Sequence, residues 1–185
     1  MHQPGEFVQQ IETAKSLIAT LFADLSTKSA DELIAYVCDK QTGRAFFVAL
    51  LSSDFDLEPP GSKWMISVIE AKPEILVPLL VKNIVMSTAM TITHRRKNDQ
   101  KMQEESSKVF KRAFTLTTRL NPAIVKKEVQ AMKKAISTMI AEKESDSPQF
   151  LFLSRWKYDS EQLEAAAGVL EMITAVLSLN DQKPE

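Results

Sequence analysis

Twelve lysines and arginines fall in the segment 94–134, which contains only four acidic residues. The segment therefore carries a net charge of +8, while residues 1–93 carry −4 and residues 135–185 carry −5. The whole-chain net charge of −1 hides this polarity. A spread of lysine and arginine can bind another distributed charge, such as an acidic protein, a nucleic acid or an anionic lipid surface. The segment 94–134 predicts where a partner docks, and it identifies no reaction.

The spacing of these bases indicates that they share one side of a helix. On an ideal helix over residues 97–120, at about 100° per residue, five bases lie within an arc of roughly 60°. They are Lys97, Lys101, Lys108, Arg112 and Arg119. The next predicted helix carries two lysine pairs seven residues apart, a spacing that returns them to one side: Lys126, Lys127, Lys133 and Lys134. We predict that these nine residues form a partner-binding surface.

The alternative to a binding surface is an ordinary solvated helix face. Glu104 precedes Lys108 by the four residues that allow a local ion pair on a helix, and Lys101 precedes Glu105 by the same spacing. Runs of charge on a helix often do no more than keep that face in water. Both interpretations stay open at the level of the sequence.

No combination of residues predicts catalysis or a bound metal. The two histidines are His2 and His94, and the second lies beside two arginines that would repel a cation. The acidic loop containing Asp54, Asp56 and Glu58 has no calcium-loop motif, so we interpret it as solvated. The chain also lacks a G-x-S-x-G motif and a phosphate-binding glycine loop. We therefore predict no enzyme activity, no catalytic residue, no metal and no cofactor.

A cluster of hydroxyl side chains lies in the middle of an apolar predicted helix. It consists of Ser87, Thr88, Thr91 and Thr93. Small residues let another helix approach closely, and threonine hydroxyls can donate to a carbonyl one turn earlier. We therefore expect close helix packing at this cluster. A small-ligand pocket lined by the hydroxyls is the alternative, and it is the feature on which an enzyme of unfamiliar type would depend.

The cysteine content and the apolar runs indicate the cellular compartment in which we expect the protein to lie. Cys38 is the only cysteine, so we expect no intrachain disulfide and a small, buried thiol in a reducing compartment. The first residues lack the basic and apolar regions of a secretory signal. The longest purely apolar run, residues 75–81, is seven residues long, whereas a spanning helix needs about 20. We expect a soluble, cytoplasmic protein without a membrane span.

The elements that position these residues are predicted to be helices. The chain has only four glycines, and its apolar residues recur at steps of three and four in the segments 6–24 and 122–140. Prolines at Pro73 and Pro122 are well placed to begin helices, and their separation of 49 residues would suit a HEAT-like helical hairpin. We predict an all-α, irregular single-domain bundle of about six to eight helices over residues 1–180, with a frayed tail at 181–185.

The sequence predicts two helix boundaries and leaves two segments open. Gly43 indicates a break before a short buried helix, and Ser29 with Glu32 forms a capping-box pattern that would begin the second helix at Ala30. Residues 79–120 form either one long helix or two helices with a break near 98–99. The apolar run 150–153 is too short to show a period.

These observations lead to a ranked prediction of function. We predict a non-enzymatic binding protein, of regulatory or adaptor type, that docks an acidic protein partner on the basic surface 97–134. In a variant of this hypothesis, the acidic C-terminal flank faces the basic segment within a homo-oligomer or a folded-over monomer; the acids of that flank include Asp159, Glu161, Glu164 and Glu171. Non-specific RNA or DNA binding is the alternative, because it needs only a spread of bases.

Overall fold

The computed structural model describes residues 4–181 and contains nine α-helices and no strand in that range. The helices are α1 (Pro4–Asp24), α2 (Thr27–Tyr36), α3 (Lys40–Ser52), α4 (Gly61–Ala71), α5 (Pro73–Arg96), α6 (Gln100–Arg119), α7 (Pro122–Ile140), α8 (Pro148–Trp156) and α9 (Ser160–Asn180). The all-α class is confirmed, with nine described helices rather than six to eight. The additional helices arise because the chain breaks between α5 and α6, and because the run 150–153 is helical. His2 and tail residues 182–185 lie outside the described range.

The described helices form two compact units, and the boundary between them falls within α5, after Leu80. In the first unit α1 packs against α2 and α3, while α2 also packs against α4. Phe46 and Phe47 are almost completely buried, with ring centroids 5.0 Å apart in an edge-on arrangement. Burial of such aromatic side chains supplies a large part of the free energy that stabilises a small core. The prediction of one domain over residues 1–180 stays a prediction.

Gly43 lies inside α3 instead of marking a break, so that prediction was wrong. Asp39 begins the helix: its carboxylate accepts hydrogen bonds from the backbone N–H groups of Gln41 and Thr42. A Cβ atom at Gly43 would lie 2.9 Å from a methyl carbon of Leu79 and 3.0 Å from one of Ile75. The glycine therefore permits the close approach of α3 to the first turns of α5.

The α2 boundary also differs from the predicted one. Ser26, rather than Ser29, caps the helix, because its hydroxyl accepts a hydrogen bond from the Ser29 N–H. The Ser29 hydroxyl instead donates to Asp24, at 2.6 Å, and α2 begins at Thr27. An N-cap residue directly precedes the first helical residue and accepts from an N–H of the first turn; Ser26 has this position, whereas Ser29 lies inside α2.

Cys38 is exposed, which contradicts the expected buried thiol. Leu33 and Val37 occupy the buried side at the end of α2, and Cys38 follows in the short connection to α3. Its backbone N–H donates to the hydroxyl of Thr42, and its sulfur lies 3.9 Å from the same oxygen.

The second unit contains the rest of α5 and the helices α6 to α9. Helix α9 packs against both α6 and α7, and α8 packs against α7. The buried side of α9 is apolar, with Leu170, Ile173 and Leu177 inaccessible to solvent. Helix α9 thereby provides the surface on which the two basic helices α6 and α7 are placed.

Pro73 and Pro122 begin α5 and α7, as predicted. Proline suits the first helical position because its missing N–H would have no partner there. The helices that follow differ in length, 20 residues for α6 and nine for α8. The HEAT-like repeat stays a prediction.

Two described helices have the length and composition of a membrane span. An 18-residue window in α5 has a mean hydropathy of 1.8, and one in α9 has 1.4. Half of the α5 window and 39% of the α9 window are buried inside the protein. Core helices of soluble proteins have these same properties, and the prediction of no membrane span stays a prediction.

Candidate basic interface

The predicted positive stripe is divided between a turn and a helix. Helix α5 ends at Arg96 and α6 begins at Gln100, so Lys97 lies in the turn and not on α6. Asn98 adopts a positive φ of 55°, a conformation that asparagine tolerates better than most residues, and the Asp99 carboxylate caps α6 by accepting from the Met102 N–H. The predicted alternative of two helices with a break near 98–99 is therefore confirmed, and the helix assumed for the stripe over 97–120 begins only at Gln100.

The remaining four stripe residues share one side of α6. Lys101 and Arg119 are exposed, while Lys108 and Arg112 are partly buried. Ala113, Leu116 and Thr117 form the buried side of the helix. Lys111, which was not among the predicted residues, is also exposed on α6.

Two open depressions adjoin the N-terminal half of α6. The first has a volume of about 540 Å³ and is lined by Gln103, Glu104, Ser107, Lys108, Lys111 and Arg112. The second, of about 500 Å³, is lined by Arg95, Asn98, Gln100, Gln103 and Glu104. The two share Gln103 and Glu104, so they form one extended surface. This α6 groove combines three cationic side chains of α6, one carboxylate, and amide and hydroxyl groups that can donate hydrogen bonds. Its fourth cation, Arg95, is paired with Glu161.

The lysines of α7 divide into two pairs with different environments. Lys126 forms an ion pair with Asp181, and the Lys133 ammonium lies 2.6 Å from a carboxylate oxygen of Glu171. Lys127 and Lys134 are exposed, about 100° round the helix from Lys126 and Lys133, and form no ion pair with any residue from 4 to 181. Half of the predicted α7 surface is thus neutralised by the acidic C-terminal helix.

Two arginines that were not among the predicted site residues connect the C-terminal end of α5 with the N-terminal end of α9. The Arg95 guanidinium donates to Glu161, and the Arg96 guanidinium donates to both Asp159 and Glu161. These ion pairs correspond to the folded-over arrangement of basic segment and acidic flank. Together with the ion pairs of Lys126 and Lys133 on α7, these contacts neutralise four bases. Residues 81–181 contain 16 bases and 12 acids in total.

The pKa values of the Asp159 and Glu161 carboxyl groups depend on Arg96. Its hydrogen bonds lower the pKa of Asp159 and Glu161, and the same bonds raise the pKa of the guanidinium. A carboxyl group with a depressed folded-state pKa stabilises the fold fully above its unfolded pKa, and the contribution disappears as the pH falls through the folded pKa. The junction between α5 and α9 therefore weakens in acid.

We expect Arg96→Gln to raise the pKa of both carboxyl groups towards their ordinary values. Asp159 loses its main cationic partner, whereas Glu161 retains Arg95 and shifts less. Side-chain carboxyl resonances followed by NMR from pH 7 down to 2 measure both values. Lys134→Gln removes an exposed charge on α7 and should change neither pKa. Identical titrations in the wild type and Arg96→Gln would contradict the assignment of the shift to Arg96.

The hydroxyl groups of the α5 cluster form hydrogen bonds within α5 and with the start of α9. Ser87, Thr88, Thr91 and Thr93 each donate to a backbone carbonyl four residues earlier. Gln162, at the start of α9, donates to the carbonyl of Ala89 at 3.1 Å and to the hydroxyl of Thr93 at 2.8 Å. This geometry agrees with the close packing expected at the cluster.

The other polar residues of the described range do not bring together the ligands of a metal site. In the range 4–181 no three His, Cys, Asp or Glu side chains are close enough to hold an ion together. Asp54, Asp56 and Glu58 therefore do not converge on a cation. The α6 groove combines concavity, charge and hydrogen-bond donors.

A family model described as Uncharacterised conserved protein UCP020893 matches residues 6–173 of the chain. No curated protein and no solved structure is significantly similar to it. The match covers every helix from α1 to α8 and most of α9. It therefore spans the α6 groove and the ion pairs of Arg95 and Arg96.

Proposed function

We propose that this chain, which belongs to the family Uncharacterised conserved protein UCP020893, is a non-enzymatic binding protein of regulatory or adaptor type. It docks an acidic protein partner on the α6 groove and the adjoining turn. The observation that carries the proposal is the composition of this groove, in which Lys108, Lys111 and Arg112 line one depression with a single acid, Glu104.

The groove is suited to carboxylates because it pairs charge with directional donors. Lysine and arginine attract an acidic segment, and interfacial charge raises the association rate and fixes the register of a partner. Gln103, shared by both depressions, and Ser107 add neutral polar groups beside the charges. The Glu104 carboxylate accepts from the Gln100 side chain at 2.9 Å, which holds that acid along the helix surface.

The pairing of bases within the chain favours an acidic protein over a long polyanion. Binding to nucleic acid grows with the number of phosphates neutralised. Arg95, Arg96, Lys126 and Lys133 already neutralise carboxylates of the same chain. A compact cationic groove on α6 then fits a short acidic segment better than it fits an extended duplex or single strand.

The same ion pairs favour a separate partner over a homo-oligomer in which Asp159, Glu161 and Glu171 face α6 of a second copy. Asp159, Glu161 and Glu171 contact bases of their own chain. They are not open to a second copy without breaking these contacts. The partner must therefore bring its own carboxylates to α6.

Charge reversal on α6 tests the proposal. Lys101→Glu with Lys111→Glu should weaken binding of an oligoglutamate peptide at least about tenfold, equivalent to about 1.4 kcal/mol, because two attractions become repulsions. Both side chains are exposed and lack an ion pair among the described residues, so the substitutions leave the fold intact. Isothermal calorimetry at low and moderate salt measures the affinity.

The matched control is Lys127→Glu with Lys134→Glu on α7. It changes the net charge by the same amount at two exposed lysines outside the groove. The proposal expects this control to bind the peptide nearly as well as the wild type. Equal losses in both double variants would mean that only net charge matters. Tight binding of a single-stranded oligonucleotide, lost equally in both variants, would instead support the nucleic-acid hypothesis.

A further inference from the structure

Helix α8 presents large apolar side chains to solvent. It has nine residues, and Leu153 is its one buried residue in the described structure. Leu151 is 54% exposed and Trp156 is 47% exposed. Phe152 anchors the helix through a ring contact with Tyr158 and a cation–π contact with Lys82. Because the helix is held on its inner side, Leu151, which faces away from Leu153, is a fixed outer contact; Trp156 lies about 140° round the helix from Leu151 and belongs to a different side.

The two ends of α8 carry opposite charge. Three acids lie in the segment that leads into the helix, Glu142, Glu144 and Asp146, and one base among them, Lys143, leaves the segment net acidic. Two bases, Arg155 and Lys157, lie at the C-terminal end of the helix. All six side chains are exposed, and none forms an ion pair with another residue in the range 4–181. These charges therefore have no partner among the described residues.

This arrangement is self-complementary under a two-fold rotation. A nine-residue helix rises about 13 Å, so the acidic and basic ends are well separated. When two copies of α8 lie antiparallel, the acidic end of each faces the basic end of the other, and the helix dipoles are also opposed favourably. Leu151, near the middle of the helix, then lies close to the two-fold axis. A symmetric dimer requires this kind of self-matching patch.

We propose that the chain forms a homodimer through α8, with Leu151 at the centre. Arg155 and Lys157 pair with Glu144 and Asp146 of the second copy. A helix this short covers less area than a standard protein interface, so the dimer forms in a concentration-dependent equilibrium. The charges set the antiparallel orientation, and the apolar centre supplies the attraction.

Sedimentation equilibrium over a range of protein concentrations tests the dimer. The wild type should show a monomer–dimer equilibrium. Leu151→Asp should weaken the dimer at least tenfold. Arg155→Glu with Lys157→Glu makes both ends of α8 acidic. Glu144→Lys with Asp146→Lys makes both ends basic. Each of these double variants should therefore be monomeric when it is measured alone.

Mixing the two charge variants provides the decisive comparison. An equimolar mixture should restore the dimer, because the acidic variant now matches the basic one. Met172→Asp, at an exposed methionine of α9, is the control and should dimerise like the wild type. Circular dichroism establishes that each variant is folded. A monomeric wild type at the highest concentration, a dimer that persists in Leu151→Asp, or a mixture that stays monomeric would overturn the proposal.

Discussion

Replacing Gln162 with leucine should lower the free energy of unfolding by about 2–3 kcal/mol, because the buried amide makes three hydrogen bonds worth roughly 1 kcal/mol each. Its Nε2 donates to the Ala89 carbonyl and to the Thr93 hydroxyl, and its Oε1 accepts from the Asp159 N–H at 3.1 Å. Leucine keeps most of the volume but makes none of these bonds. The substitution therefore loosens the junction between α5 and α9.

The comparison for this prediction is Gln130→Leu on α7. Gln130 is exposed, so the same chemical change should cost no more than about 0.5 kcal/mol. Urea unfolding followed by circular dichroism gives both values, provided that the dependence on urea is unchanged. If both variants unfolded at the wild-type urea concentration, Gln162 would not stabilise this junction.

Gly61→Ala should destabilise the first unit by roughly 3 kcal/mol, at the upper end of the range for overpacking. A Cβ atom at Gly61 would lie 2.4 Å from a ring carbon of Phe22 and 2.9 Å from the backbone carbonyl oxygen of Asp56. The ring can rotate only at the expense of its stacking on Phe55, where the centroids are 5.1 Å apart. The backbone oxygen moves still less easily.

Gly168→Ala is the matched control in α9. Nothing lies within 4 Å of the added Cβ atom there, and alanine is a better helix former than glycine. This variant should gain up to about 1 kcal/mol. The opposite signs of the two Gly→Ala changes separate steric crowding from helix propensity. A neutral or stabilising effect of Gly61→Ala in thermal and urea unfolding would contradict the tight contact.

The sequence predicted the helical class and most helix positions because those depend on local periodicity and on proline. Pro73 and Pro122 begin helices regardless of their surroundings, since the missing N–H has no role at the first position. The glycines were harder to interpret. Gly43 looks like a break in sequence, but side chains of α5 decide its role, and these come from a part of the chain more than 30 residues away.

The part of the candidate site that depends on the local helical repeat could be predicted from the sequence, and the part that depends on contacts with another helix could not. The common side of Lys101, Lys108, Arg112 and Arg119 follows from the helical repeat alone. The division of the α7 lysines does not, because Lys126 and Lys127 are neighbours in sequence. Helix α9 determines that Lys126 and Lys133 meet carboxylates while Lys127 and Lys134 face solvent. The net charge of a segment therefore overestimated the charge that is left to bind a partner.

The most direct test of acidic-partner docking on α6 is a titration of the isotopically labelled protein with oligoglutamate, followed by amide chemical shifts. If the partner docks on α6, the largest shift changes fall in the turn 97–99 and the first part of α6, residues 100–112. Changes centred on Lys127 and Lys134, or no saturable change at low salt, would contradict this docking.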